Sequence, residues 1–177
     1  GSAAAGGSGA TGGSGATGGS GATGGSGGSR VDCSALPAPS GPTIQVTPAE
    51  AADLPSIVAG AASGTTIMLA DGTYKMPAGG EAQRRIQIRT AGITIRSASG
   101  DASQVILDGE YQTNEMITIH ASDVTLAHFT LTHAVDHPIH VTADEAGEIV
   151  SGARLYGLRI IDGGEQFVKI NPNGAGD

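Results

Sequence analysis

Two columns of polar side chains carry the groups in this sequence that could do chemistry. Four short segments alternate apolar and polar residues, and their polar positions align when the segments are stacked. The first column is Gln87, Thr118, His140 and Lys169, and the second is Arg89, His120, Thr142 and Asn171. Two permanent cations and two histidines on one face favour docking of an extended anionic ligand. Because outward positions of any such stack must be polar, an ordinary solvated face is the alternative interpretation.

The segments that position these columns are predicted β-strands. Strict alternation over four residues is the pattern of a half-buried strand. The first set recurs every 22 to 31 residues, and two further sets lie between its members, which is the period of a solenoid with three strands per unit. The first set is Ile86–Arg89, Ile117–His120, Ile139–Thr142 and Val168–Asn171; the second is Ile93–Arg96 and Val124–Ala127; the third is Val105–Asp108, Phe129–Thr132 and Leu158–Ile161.

The aliphatic positions of the strands are predicted to point inward and to stack from one unit to the next. The turns between strands are expected at Asp108-Gly109 and at Asp162-Gly163-Gly164, where glycine would permit a positive φ.

Five histidines fall within 21 residues: His120, His128, His133, His137 and His140. The spacing of the last three superficially suggests a metal site, and His120 and His140 are close enough in the stack to share a metal. Histidines at i and i+4 share a metal when both lie on one helical face, however, and Pro138 predicts a turn here. We therefore interpret these residues as polar loop histidines.

A group of carboxylates surrounds the third strand of the first set: Asp136, Asp144, Glu145 and Glu148. Oxygen-rich loops can hold Ca²⁺, which is the one cofactor that the sequence brings into consideration. The spacing of an EF-hand and that of calcium-binding nonapeptide repeats are both absent, so a solvated acidic loop is the default interpretation.

The amino-acid composition limits the domain organisation and the possible partners of this protein. Residues 1–29 contain only Gly, Ser, Ala and Thr, which predicts a flexible linker. The remaining chain carries all 9 basic and 17 acidic residues, and a net charge of −8 argues against nucleic acid or an anionic membrane surface as partner.

No stretch of the sequence approaches the ~20 apolar residues of a transmembrane helix. The single Cys33 forms no internal disulfide and either is an ordinary small residue or pairs outside this chain.

Residues 30–63 are predicted to form an extended lead-in followed by a capping helix. Thr47-Pro-Ala-Glu50 has the form of a capping box with proline at the first helical position. An Ala-rich stretch then runs to about Ala62, interrupted by Pro55. This helix would seal the first turn of the solenoid with an apolar face made of Leu54, Ile57, Val58 and Ala61.

Two segments resemble a known group of proteins. Gly64-Thr-Thr-Ile-Met-Leu-Ala-Asp-Gly-Thr-Tyr74 after a short helix looks like the opening of bacterial right-handed parallel β-helix proteins of the pectin-lyase-like superfamily. The segment from Ile93 to Gly109 is similar to that group's first full rung. The resemblance covers roughly residues 47 to 171 and implies an all-β, right-handed parallel β-helix over 64–177, expected to continue beyond Asp177. The superfamily includes lyases, hydrolases, epimerases and non-enzymatic binding proteins, so the fold does not fix the activity.

The lyase branch of this resemblance implies specific chemistry. β-Elimination from a uronate needs a base for the proton next to the carboxylate and a cation to stabilise the enolate-like anion. Lys169 is the candidate base, with His140 and Arg89 as charge partners. Gln87, Thr118, His120 and Asn171 would then contact the substrate.

Two functions of different class remain open. The first is an exported bacterial β-helix protein that interacts with an anionic polysaccharide, with cleavage or epimerisation of the polymer as its catalytic forms. The second is a non-catalytic surface or adhesion solenoid. The low-complexity tether before a β-rich domain favours a secreted or cell-surface location with a lipid anchor upstream, although no signal peptide is visible. We expect a monomer.

Overall fold

The structure is a computed structural model that describes residues 36–145 and 147–171. The expected linker, Cys33 and residues 172–177 lie outside the described residues. Thirteen strands are present in the described ranges: β1 (Thr43–Val46), β2 (Thr66–Leu69), β3 (Gly72–Lys75), β4 (Ile86–Ile88), β5 (Thr94–Ser97), β6 (Val105–Asp108), β7 (Glu115–Ile119), β8 (Thr125–Ala127), β9 (Thr130–Thr132), β10 (His137–Val141), β11 (Arg154–Tyr156), β12 (Arg159–Ile161) and β13 (Val168–Ile170).

The strands form three sheets, and every strand pair among the described residues is parallel. Apart from β1 beside β2, each strand pairs with the strand three places away along the chain. This pairing is compatible with an all-β parallel solenoid, in which each unit adds one strand to each sheet. Sheet 1 has the order β1-β2-β5-β8-β11, sheet 2 the order β4-β7-β10-β13, and sheet 3 the order β3-β6-β9-β12.

The inward columns of aliphatic side chains make the core, as the alternation predicts. Ile86, Ile117 and Ile139 are Cα partners across sheet 2 and are fully buried. Burial of one such side chain stabilises the fold by about 1.5–3 kcal/mol. The same column ends at Val168, which is 36% exposed because no described strand lies beyond β13.

A short helical segment closes the first unit. A 3₁₀ helix (Pro48–Asp53) leads into α1 (Leu54–Ala59), and α1 buries Leu54 and Val58 against the core. At its start the backbone N–H of Thr47 donates to Glu50 Oε2 at 2.9 Å, so part of the predicted capping interaction is present. The helix is thus shorter than predicted and begins as a 3₁₀ turn. In the part of the chain that the structure describes, no helix has the length and apolarity needed to cross a membrane.

The elements that were not predicted as such include one strand and one helical turn before β4. The lead-in contains β1, which pairs with β2 and adds an outer strand to sheet 1. A single helical turn, α2 (Glu81–Arg84), lies in the connection between β3 and β4.

The predicted role of Gly109 is wrong. The positive φ angles of that turn fall on Glu110 and Tyr111 instead, at 50° and 53°. A Cβ at Gly109 would lie 2.7 Å from the carbonyl oxygen of His133, so glycine is required there by close approach of the next unit. In the later turn the positive φ angles fall on Asp162 and Gly164, so the expectation holds for Gly164 and fails for Gly163.

Candidate functional site

Sheet 2 brings the first predicted column together in register. Gln87 pairs with Thr118, Thr118 with His140, and His140 with Lys169 as Cα partners of adjacent parallel strands. Neighbouring strands lie ~4.8 Å apart, so the four side chains form a line across the sheet. Their positions alternate with the buried aliphatic column, which puts them on the outer side of the sheet.

The second column is also aligned. The backbone N–H groups of His120, Thr142 and Asn171 donate to the carbonyl oxygens one unit earlier, at 2.9 to 3.0 Å. These ladder bonds keep Arg89, His120, Thr142 and Asn171 in one row at the carboxyl ends of the strands. We call the two rows together the polar face of sheet 2.

Much of the polar face is nevertheless covered. Thr118 is 1% exposed and His140 is 9% exposed, whereas Lys169 is only partly buried and Arg89 is exposed. Thr118 Oγ1 donates to Glu115 Oε2 at 3.3 Å. A ligand on this face would therefore contact Lys169 and Gln87 directly, while Thr118 and His140 lie beneath other side chains.

Glu115 is the residue that covers them, and it joins a three-membered charge network. Its Oε1 lies 2.7 Å from His140 Nδ1, and its Oε2 accepts from Arg85 Nη1. Burial alone would raise the pKa of Glu115, but His140 and Arg85 lower it overall below the usual value. His140 Nε2 is buried and has no hydrogen-bond partner among the described residues.

This network predicts a specific loss of stability in acid. A carboxylate whose pKa is lowered by folding stabilises the fold above its unfolded pKa of about 4.5, and this contribution is lost as the pH falls through the folded pKa below it. Glu115→Gln should therefore lower the free energy of unfolding at pH 7, and its difference from wild type should shrink below pH of about 4.5.

Urea denaturation followed by circular dichroism at a series of pH values measures this difference. Glu148→Gln, at an exposed carboxylate, is the control and should show no such convergence. A difference between Glu115→Gln and wild type that is constant with pH would show that the carboxylate charge is not what stabilises the network.

A second network lies at the edge of the polar face. Arg89 donates to Asp144 through Nε at 2.9 Å and through Nη2 at 3.0 Å, a bidentate pair, and contacts Gln87 Oε1 through Nη1. His120 Nδ1 is 2.9 Å from Asp144 Oδ1, although the angles are not those of a hydrogen bond. Burial lowers the pKa of His120, and the attraction of Asp144 offsets this only in part. Folding therefore favours the neutral form of His120.

The other histidines each meet a different neighbour. His133 Nδ1 lies 2.8 Å from Asp108 Oδ1, His137 Nε2 lies 3.5 Å from Asp136 Oδ1, and His128 packs its ring on that of Tyr156. The prediction of a turn at Pro138 is wrong, because β10 includes this proline and both His137 and His140 belong to the strand. His137 and His140 are buried strand residues and not polar loop histidines.

Two carboxylates beside the polar face are already paired with basic side chains. Asp144 is engaged by Arg89 and His120, and Glu115 by Arg85 and His140. Calcium takes six to eight oxygen ligands, which are best supplied by carboxylates not already neutralised by cations. Within residues 36–145 and 147–171, no three His, Cys, Asp or Glu side chains are grouped so as to hold a metal ion.

Sequence reasoning missed Glu115 and Arg85, and it assigned Asp144 to a solvated loop. Alternation gave no signal for Glu115, because Met116 and Ile117 are both buried in the core and the apolar/polar pattern of β7 is interrupted between Glu115 and Ile117. The partners themselves lie 25 and 30 residues away, beyond the reach of local patterns.

The sequence and structure of this chain were compared with those of known proteins. No protein-family model, no curated protein sequence and no solved structure matches this chain.

Proposed function

We propose that this protein is a right-handed parallel β-helix protein, exported by a bacterium, whose polar face of sheet 2 binds an anionic polysaccharide. The parallel pairing of each strand with the strand three places on supports this fold. So does the likeness of residues 64–74 and 93–109 to the pectin-lyase-like superfamily. The observation that carries the binding proposal is the register of Gln87, Thr118, His140 and Lys169 across four adjacent strands.

A line of polar groups at strand spacing suits a linear polymer. An extended glycan lying along the solenoid axis would cross one strand every ~4.8 Å and would contact Gln87 at one end of the line and Lys169 at the other. Periodic ligands are bound well by periodic surfaces, because solenoids present long, continuous faces.

The distribution of charge on this face singles out Lys169. Arg85 and Arg89 are each paired with a carboxylate, so their charge is largely compensated. Lys169 has no ion-pair or hydrogen-bond partner among the described residues, and it lies beside His140 in the ladder. A uronate carboxylate bound on this face would therefore be attracted to the uncompensated positive charge of Lys169.

The catalytic form of the proposal is β-elimination. Lys169, in its neutral form, removes the proton next to the uronate carboxylate. The electron pair of that C–H bond forms the ring double bond as the bond to the glycosidic oxygen breaks, and the leaving oxygen takes a proton from solvent. His140 and Arg89 are the charge partners of the enolate-like anion in this form, and Arg89 exchanges its contacts with Asp144 for the anion. Epimerisation would share the first step and return a proton to the opposite face of the same carbon.

The non-catalytic alternative has an observation of its own. Arg89 is held by both oxygens of Asp144, and burial lowers the pKa of His120, so two of the four charged or titratable groups on the face are poorly suited to stabilise an anion. A face of this kind suits hydrogen bonding to sugar hydroxyls better than catalysis by cations, and favours an adhesion solenoid.

One experiment decides between these functions. The protein is incubated with pectate, alginate and hyaluronan, with Ca²⁺ and with chelator, and ultraviolet absorbance from unsaturated uronates is followed. Retention on the same polymers, immobilised, is measured in parallel. We expect retention on at least one polymer that is weakened by added salt. Retention without an absorbance rise would point to the binding solenoid, and absence of both on every polymer would contradict the proposal.

A further inference from the structure

A cavity lies at one end of the polar face. It has a volume of about 430 Å³, within the range of roughly 300–1,000 Å³ that is usual for small-molecule sites. Four elements supply its walls: the 3₁₀ helix, α1, α2 and the outer side of β4 with the residues that flank it. The side chains that the argument uses are Ala59, Ala82, Gln83, Arg85, Gln87 and Arg89.

The chemistry of the walls fits an acidic sugar. Two arginines and two glutamines line the cavity, and none of the described lining residues is a carboxylate. Arg89 is engaged by Asp144 and Gln87, whereas Arg85 uses Nη1 for Glu115 and its buried Nε has no hydrogen-bond partner among the described residues. Gln87 Nε2 makes only a long contact of 3.4 Å to the carbonyl oxygen of Ala82. Donors in excess of acceptors favour a ligand with a carboxylate and hydroxyl oxygens.

The position of the cavity indicates which part of a bound polymer would contact it. β4 is the edge strand of sheet 2, and α1 packs against it. A chain lying on the ladder from Lys169 towards Gln87 therefore arrives at β4 and finds α1 across its path. The polar face therefore ends at the cavity on the side of β4.

We propose that this cavity binds the terminal uronate of an acidic polysaccharide, so that the protein recognises chain ends and not chain interiors. This inference rests on the proposed function, because it takes the polar face as the path of the polymer. The small side chains of Ala59 and Ala82 leave the space for the terminal ring, and Arg85 and Gln87 face its carboxylate and hydroxyl groups.

Binding stoichiometry tests the inference. Size-fractionated oligogalacturonates, alginate oligomers and hyaluronan oligomers, from trimers to long polymers, are titrated into the whole chain in a calorimeter. Recognition of the chain end predicts one protein per polymer chain at every length. Binding to chain interiors predicts a number of bound proteins that grows with length, which would overturn the inference and leave the proposed function intact. No binding of any series would overturn both.

A cavity-filling variant provides the second measurement. Ala59→Phe places a ring in the cavity from an exposed position of α1 and should weaken binding of short oligomers at least about tenfold. Ala62→Phe, at an exposed alanine outside the cavity, is the matched control and should bind as wild type does. Thermal unfolding of both variants verifies that they are folded. Unchanged affinity in a folded Ala59→Phe protein would show that the cavity is not used.

Discussion

In the lyase form of the proposed function, Lys169→Gln is expected to lower the rate of β-elimination by about 10²- to 10⁴-fold, the usual contribution of a positioned general base. Glutamine keeps a polar side chain on the polar face but cannot take a proton from the uronate. Because the side chain lies at the exposed end of the ladder, the backbone pairing of β13 with β10 should be unchanged. The assay is the rise in ultraviolet absorbance on the polymer that the wild-type protein cleaves, with binding of that polymer measured separately.

The chain offers one matched control for this variant. Lys75 is the other lysine of the sequence, lies in sheet 3 and is paired with Glu110. Lys75→Gln removes the same charge from the protein while leaving the polar face of sheet 2 intact, so it should retain the wild-type rate. Full activity in Lys169→Gln would assign the base to another residue, and equal losses in both variants would show an effect of net charge alone.

Phe129→Ala is expected to lower the free energy of unfolding by about 3–5 kcal/mol, the range for removal of a buried aromatic ring. Phe129 is fully buried in the core at the start of β9 and is among its largest side chains. Its removal leaves a cavity that the ladders above and below cannot close, because their hydrogen bonds fix the spacing of the strands. Denaturant titration monitored by circular dichroism measures the change.

Two further variants keep this prediction interpretable. Phe167, the other phenylalanine of the chain, is 50% exposed, so Phe167→Ala should change the free energy of unfolding by less than about 0.5 kcal/mol. Phe129→Leu retains most of the volume and should cost less than about 1.5 kcal/mol, which provides a folded protein even where the alanine variant does not fold. Similar losses in Phe129→Ala and Phe167→Ala would contradict the assignment of Phe129 to the core.

The strands and their register were predictable because both follow from local alternation. Ile86, Ile117, Ile139 and Val168 recur with the same pattern, and aligning them was sufficient to place His140 beside Lys169. β11 was not predicted, since Arg-Leu-Tyr carries one aliphatic residue and no alternation that a window could detect. It is a strand because its backbone pairs in parallel with that of β8.

The charge balance of the candidate site was not predictable in the same way. The sequence presents Arg89 as a free cation, whereas the structure pairs it with Asp144, 55 residues further along the chain. Which side chains form an ion pair at that sequence separation depends on the register between two units and on the conformation of a loop. Alternation fixes the first of these, but the conformation of a loop depends on packing that a single sequence does not display.

The pairing of each strand with the strand three places on has a consequence for the way this chain folds. No described strand pairs with an adjacent one through a tight hairpin, so the first hydrogen-bonded ladder requires closure of a loop as long as a whole unit. Nucleation should accordingly be slow, as it is for proteins dominated by non-local contacts. Once two units have docked, each new unit adds to an existing template, and growth along the axis should be fast.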